Sequence, residues 1–325
     1  MVRSLRDDTF LYKKLMKSVL VLLSTYNGEK FLREQLDSLY AQEGVEMNLL
    51  VRDDGSKDST FSILEEYKSK YGRMDIIKGQ NVGAGPSFLE LIKIAMSDYS
   101  TYEYYAFCDQ DDVWFAHKIE SGVRALEGSN KKLKMYFSGS VNTDAELNPI
   151  NPSHVRLVNS FGANLVANHI IGCSMMFNKA LLEEINKINT RPFKIPNGNI
   201  PIHDAWAAIV AYGLGAEVIQ SNASMMYYRQ HGNNTIGAGH GFLSIQWHRI
   251  TRYLKTATHG KANKCIIALQ VLDDIPERNK QFLELVACYR SNLWRKIQLM
   301  TDRRMYEYSL VDNIGTFLTL LFNKF

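Results

Sequence analysis

Tyr104-Tyr105-Ala106-Phe107-Cys108-Asp109-Gln110-Asp111-Asp112-Val113-Trp114 is the stretch on which the reading of this chain turns. Its opening residues, Tyr104 to Phe107, are aromatic and β-prone and read as a buried strand. The carboxylates of Asp109, Asp111 and Asp112 then arrive where that strand should end. In an open α/β sheet, ligands bind at the carboxyl ends of the strands. Carboxylates this close repel one another unless a positive charge sits between them, and a hard divalent cation with oxygen ligands is the usual counter-ion. An isolated Asp-x-Asp can equally be a solvated acidic turn, so the neighbouring sequence has to decide.

Upstream, Ser18 to Ser24 is a continuous apolar run and reads as a buried parallel strand. Tyr26-Asn27-Gly28-Glu29 makes a turn, and Phe31, Leu32, Leu36, Leu39 and Tyr40 recur at helical spacing. Met47 to Val51 is a second strand, ending in Arg52-Asp53-Asp54-Gly55-Ser56-Lys57-Asp58. Ser59 is placed to cap the helix that carries Phe61, Leu64 and Tyr67. Asp75 to Lys78 is a third strand, followed by Asn81-Val82-Gly83-Ala84-Gly85, and Pro86 suits the first position of the next helix. This βα alternation predicts an α/β fold with a mostly parallel sheet, flanking helices and all of these turns on one edge. The glycine turn lacks the G-x-G-x-x-G of a dinucleotide site.

The second half is less regular. Leu133 to Ser138 and Gly172 to Phe177 read as strands, with a Pro/Asn loop from Asn148 to Ser153 between them. A helix is predicted over Ala205 to Tyr212, opened by Pro201-Ile202-His203-Asp204. Glu217 to Gln220 and Met225 to Tyr228 read as two strands. After Gly237-Ala238-Gly239-His240-Gly241 the pattern turns helical, and Leu243, Trp247, Ile250 and Leu254 form an apolar stripe beside Arg249, Arg252 and Lys255.

The 325 residues are 46% hydrophobic, enough for one large domain or two modest ones. The formal net charge is +4, which points away from nucleic acid as a partner. From His240 onward there are 13 Lys+Arg against 7 Asp+Glu, so the basic excess is C-terminal. Cys108, Cys173, Cys265 and Cys288 show no C-x-x-C spacing, which suggests neither a zinc site nor a disulfide framework. Met1 to Lys17 has no apolar core of signal-peptide length, and no apolar run is long enough to span a bilayer. A cytoplasmic protein is expected.

Ser24-Thr25-Tyr26-Asn27-Gly28, Asp53-Asp54-Gly55-Ser56, Asp109-Gln110-Asp111-Asp112, His203-Asp204 and Arg229-Gln230-His231 occur in the order and rough spacing of the inverting family 2 glycosyltransferases. The resemblance covers about residues 17–237, and its DQDDVW, HDAW and YRQHGNN forms look most like the rhamnosyltransferases of bacterial surface polysaccharide synthesis. It implies a GT-A fold over residues 1–239, Rossmann-like, followed by a C-terminal helical region over 240–325. It also implies transfer, with inversion, of a sugar such as L-rhamnose from dTDP-L-rhamnose to a glycan or polyprenyl-linked acceptor. Asp111 and Asp109 would hold Mg2+ or Mn2+. Ser24, Thr25, Tyr26, Glu29, Asp54 and Asn81 would line the nucleotide, with Asp109, Arg229 and His231 at the pyrophosphate. Asp204 would be the general base, and Asp112, Trp114, His203 and Trp206 would border the sugar and acceptor. Where the family has Glu-Asp, this chain has His203-Asp204. For the C-terminal region, the basic stripe Arg249, Arg252 and Lys255 beside Leu243, Trp247, Ile250 and Leu254 suggests contact with the inner face of the plasma membrane, with packing on the catalytic domain or homo-oligomer formation as the alternatives.

Two rivals are set beside this reading. Asp109-x-Asp111-x-Val113 after an apolar strand also fits a haloacid-dehalogenase-like phosphatase, with Asp273-Asp274 as the further acidic pair. That motif normally ends the first core strand, whereas here three βα units precede it. The other rival is a nucleotide-sugar binding scaffold without catalysis.

Overall fold

The apolar run from Ser18 becomes strand β1 (Ser18–Thr25), and the sheet is assembled around it. In the computed structural model, which describes residues 16–151, 160–166, 170–194, 200–230, 260–306 and 310–325, β1 pairs in parallel with β2 (Glu46–Asp53). Strand β3 (Met74–Lys78) continues the parallel set beyond β2, and β4 (Tyr104–Cys108) joins the other side of β1. Further out lie β5 (Val113–Trp114), β6 (Lys134–Thr143), β7 (Pro149–Asn151), β8 (Met175–Asn178) and β9 (Glu217–Arg229). The order along the sheet is β3-β2-β1-β4-β8-β6-β9-β5, with β7 on β6. Because β8 is antiparallel to both β4 and β6, β6 and β9 return to the direction of β1.

Successive side chains of a strand point to opposite faces, so β1 feeds two cores at once. Val19, Val21 and Leu23 pack with helices α1 (Leu32–Tyr40), α2 (Thr60–Tyr71) and, through Ile119, Val123 and Leu126, α4 (Lys118–Glu127). Leu20 and Leu22 pack on the opposite face with α3 (Ala84–Asp98), α5 (Phe161–Val166), α6 (Lys179–Thr190) and α7 (His203–Gly213). Each such buried aliphatic side chain contributes about 1.5–3 kcal/mol. The C-terminal helices α8 (Gly260–Val271), α9 (Glu277–Cys288), α10 (Leu293–Thr301) and α11 (Leu310–Leu321) extend this second core, where Cys265, Phe282, Leu299 and Leu320 join Phe107 and Trp206. The described part of the C-terminal region therefore packs on the sheet and its helices. The expected boundary near 239 and the stripe from Leu243 to Leu254 lie outside the described residues.

Several elements differ from expectation for local reasons. Pro86 is the third residue of α3, whose first turn closes from Ser87 N–H to the Gly83 carbonyl at 3.0 Å. A missing N–H costs nothing there, because the first N–H groups of a helix have no helical acceptor. Ser59 occupies the cap position of α2 without a side-chain cap bond; Asp58 Oδ1 accepts from Thr60 N–H instead, at 3.0 Å. The two strands expected after Glu217 are one, because pairing with β6 passes from Gln220 to Ser224 across a register shift, with a second shift before Tyr227. The segment from Gly172 opens with a 3₁₀ turn, Gly172–Ser174, before β8 begins. Where only a loop was expected, Pro149–Asn151 adds a short strand.

One close approach seats the C-terminal region. A Cβ on Gly162 of α5 would overlap the backbone carbonyl of Arg304, in the 3₁₀ turn Arg303–Met305. Backbone cannot rotate away as a side-chain tip can. Gly162→Val should therefore cost about 1–3 kcal/mol in denaturant unfolding, a typical overpacking penalty. Wild-type stability in that variant would show that the contact yields freely.

Candidate active site

Parallel register brings the loops to one edge. Thr25 pairs with Asp53, Asp53 with Lys78 and Leu23 with Cys108, so the residues following β1 to β4 emerge side by side. These are Tyr26, Asp54, Asn81 and Asp109, all expected as site residues.

The loop after β1 is laced to both neighbours. Asn27 sits at φ +46° and accepts from Lys57 N–H at 2.9 Å, and Gly28 N–H donates to Thr60 Oγ1 at 2.7 Å. Glu29 accepts from Ser59 N–H at 2.9 Å and donates its own N–H to Asp58. On the other side Gln110 makes a two-way contact: Tyr26 N–H donates to its Oε1 at 2.8 Å, and its Nε2 donates to the Tyr26 carbonyl at 3.1 Å. A Cβ at Gly28 would collide with this Gln110 amide, so the glycine is required there for space. The Tyr26 side chain is 42% exposed and free to stack on a planar ligand.

Beneath this loop the polar residues are buried and mutually engaged. Ser24 Oγ lies 2.7 Å from Ser87 Oγ, and Thr25 donates to Asp53 at 3.3 Å. Asp54 accepts from Val82 and Gly83 N–H groups at 3.0 and 2.8 Å and pairs with Arg52. The structure thus uses Asp54 to hold the Asn81–Gly83 loop against the end of β2.

The acidic loop carries the strongest electrostatics. Burial first, then the Asp111 and Asp204 charges, push the Asp109 carboxyl up to about 7. Burial first, then the Asp111 and Asp109 charges, push Asp112 well above the carboxylate range, against bonds from Cys173 and the Arg229 N–H. Asp112 Oδ2 is buried and has no hydrogen-bond partner among the described residues. Ligand atoms of Asp109, Asp112 and Cys173 lie within 4.8 Å of one another. Burial first, then the Asp112 and Asp109 charges, push the Cys173 thiol up, so it is a hydrogen-bond donor to those carboxyls. An oxygen-rich pocket whose buried carboxyls repel one another, with one oxygen lacking a partner among the described residues, fits Mg2+ or Mn2+. The expectation paired Asp109 with Asp111 and put Asp112 in the sugar pocket. Asp109 and fully buried Asp112, which accepts from Arg229 N–H at 3.2 Å, lie together with Cys173, and Asp111 is half-buried next to Asp112 in the loop.

Across the edge, α7 presents His203 and Asp204. His203 is buried, stacked on Phe88 at 3.8 Å and edge-on to Phe107 at 5.1 Å, and burial pushes it down to about 3. Its ring nitrogens have no hydrogen-bond partner among the described residues. His203 is therefore a neutral packing residue that fixes the start of α7, and not a pocket wall. Asp204 is half-buried, and its Oδ1 accepts from Ala205 N–H at 2.5 Å. Gly172 allows the contact, since a Cβ there would meet His203 Nε2 at 2.6 Å and Asp204 Cβ at 3.4 Å. The turn Gly172-Cys173-Ser174 thus bridges the acidic loop to the head of α7.

Three expected ligand contacts are corrected by burial. Trp206 is fully enclosed, its indole N–H donating to the Ile185 carbonyl at 2.9 Å, so it belongs to the core. Trp114 is buried beneath the Lys118 ammonium, 3.7 Å from its ring, and likewise does not floor a pocket. Arg229 is buried over the Phe31 ring, and its guanidinium is directed at the Asp111 and Ala145 carbonyls and at Glu34. That arrangement ties β9 to the acidic loop from behind. His231 lies outside the described residues. Sequence reasoning missed Gln110, Cys173, Gly172 and Glu34. Only Gln110 carried a signal, by standing inside the acidic motif.

The curled, mostly parallel sheet flanked by helices, with its acidic loop at the strand ends, is the architecture of a GT-A glycosyltransferase. The chain belongs to glycosyltransferase family 2, whose family model, described as "Glycosyl transferase family 2", matches residues 20–186. It is 30% identical over 238 residues to the dTDP-rhamnosyl transferase RfbG of Shigella flexneri, covering 68% of this chain and 75% of that protein. Two solved structures share the fold at 16% identity and a TM-score of 0.53. One is S. aureus TarS 1-349 in complex with UDP-GlcNAc, covering 95% of this chain and 93% of that one. The other is the mannosyltransferase PcManGT from Pyrobaculum calidifontis in complex with GDP-Man and Mn2+, covering 96% and 89%. The phosphatase reading finds no support. Its second acidic pair would need Asp273, which is engaged at the surface by Arg191 and Lys187.

The site yields two predictions. Gln110→Ala should leave the fold intact but free the Tyr26 loop, raising the donor KM about tenfold with kcat changed much less. An unchanged donor KM would deny Gln110 its positioning role. The second concerns pH. His203 stays neutral in the fold down to about pH 3, whereas unfolded histidine protonates near 6.5. Between those values the unfolded state binds the extra proton, so stability present above pH 6.5 is lost as pH falls, by about 1.4 kcal/mol per pH unit. His203→Leu should flatten the slope of unfolding free energy against pH by about that amount between pH 6 and 4. Parallel slopes in the two proteins would mean that His203 protonates in place.

Proposed function

We propose that this glycosyltransferase moves L-rhamnose from dTDP-L-rhamnose, with inversion, onto a glycan or polyprenyl-linked acceptor in bacterial surface polysaccharide synthesis, in the cytoplasm. The observation that carries the reaction class is the family 2 match, and the turn Gly172–Ser174 supports it by touching both the head of α7, where Asp204 sits, and the Asp109–Asp112 cluster. The likeness to RfbG supports the donor, as do the DQDDVW and HDAW forms.

Tyr26 stacks on the nucleobase, and the Asn81–Gly83 loop, held by Asp54, borders the ribose. Asp109 and Asp112 would hold Mg2+ or Mn2+, with the Asp111 charge beside them; when bound, the ion neutralises charge gained by the departing pyrophosphate. Asp204 takes the proton of the attacking acceptor hydroxyl as that oxygen closes on the anomeric carbon, opposite the leaving group. The apolar stack of His203 on Phe88 and Phe107 keeps the head of α7 rigid, so the base is positioned before the acceptor arrives.

The test uses one assay of transfer from dTDP-L-rhamnose. Asp204→Asn should lower kcat by about a hundredfold or more while donor binding, read by thermal shift, persists. Chelator should silence the native enzyme, and the product should carry the inverted anomeric configuration. Near-native kcat in Asp204→Asn would move the base elsewhere, full activity in chelator would remove the metal, and a retained configuration would reject single displacement. Donor binding without any turnover by the native protein would leave the scaffold reading in its place.

A further inference from the structure

The helices that close the chain keep large apolar side chains in solvent. On α10, Leu293 and Trp294 are 72% and 75% exposed, and Ile297 follows one turn later on the same face. On α11, Ile314, Phe317 and Leu321 recur at helical spacing on an exposed face that Phe322 prolongs. The two helices are joined, since Lys296 of α10 donates to the Leu321 carbonyl at the end of α11. Large apolar side chains left exposed on two packed helices mark an interaction site.

Its border is basic. Residues 290–325 carry Arg290, Arg295, Lys296, Arg303, Arg304 and Lys324 against Asp302, Glu307 and Asp312. Asp302 is taken up by Arg304, while Arg290, Arg295 and Arg303 are exposed. No helix among the described residues is long and apolar enough to cross a membrane. A second copy docked by twofold symmetry would bring two basic rims together, which like-charge repulsion opposes. A bilayer with anionic headgroups accepts both features: the apolar side chains enter the headgroup–acyl boundary while the arginines meet the lipid phosphates.

We propose that α10 and α11 form an in-plane docking face for an anionic phospholipid membrane, centred on Trp294 and Phe317 and steered by Arg290, Arg295 and Arg303. This inference stands on the surface alone and is independent of donor and acceptor. It also differs from the stripe at Leu243 to Leu254.

The experiment floats the full chain with vesicles of phosphatidylcholine alone or mixed with phosphatidylglycerol. Native protein should float with the anionic vesicles and remain behind with the neutral ones. Reversing the rim with Arg290→Glu, Arg295→Glu and Arg303→Glu should weaken partitioning by about a hundredfold, from a few-fold per charge near the surface. Trp294→Ser with Phe317→Ser should weaken it by about tenfold or more. Both variants should melt with the native protein, because the altered side chains are exposed. Equal recovery from neutral and anionic vesicles overturns the proposal, as does undiminished flotation of both folded variants. So does a lipid-free dimer in sedimentation that the Trp294 and Phe317 changes dissociate, since the face would then belong to a second copy.

Discussion

Everything at the sheet edge answers to one constraint: carboxylates are set into a poorly solvated pocket where they repel one another. Burying a charge without a partner is costly, and burying several multiplies the cost. The fold meets this with fixed dipoles and weak donors. The Arg229 N–H and the Cys173 thiol donate to Asp112, but one carboxylate oxygen has no partner among the described residues. The Lys118 ammonium, which feels the Asp112 charge, lies over the Trp114 ring and is itself pushed down to about 8 by burial, so its compensation is limited. A pocket left short of positive charge is one that attracts it.

The rest of the architecture holds that pocket still. Strand β1 divides its side chains between two cores, so displacing the loop that follows it would disturb both layers. Arg229 reaches back from the end of β9 to the acidic loop and to Glu34 of α1, tying together segments far apart in the chain. The C-terminal helices thicken the core behind α7 and so brace the helix that carries Asp204.

The first half of the chain was legible in its sequence because its signals are local. Apolar runs ending in Asp-Asp-Gly or Asp-Gln-Asp-Asp give strand, edge and chemistry together. The second half was harder, since its strands pair irregularly and its polar stretch at Ser221–Ser224 hides a continuous β9. Side-chain fate was least legible. Trp114, Trp206, His203 and Arg229 looked like ligand contacts because of what they are, yet tertiary packing buries all of them. Cys173 carried no signal at all: nothing in its neighbours says that a 3₁₀ turn will deliver a thiol to carboxylates some sixty residues earlier in the chain.

Gln110 stands in the acidic loop yet spends both ends of its amide on the backbone of Tyr26. Two loops that would otherwise move separately are thereby made one body. Whatever orders the acidic loop lessens the entropy still to be lost when the other loop closes on its ligand, and the reverse holds by the same factor. If the proposed donor spans both loops, occupancy at the two ends of a sugar nucleotide becomes a single cooperative event, and a donor fragment offering only a base or only a phosphate forfeits more affinity than the contacts it lacks.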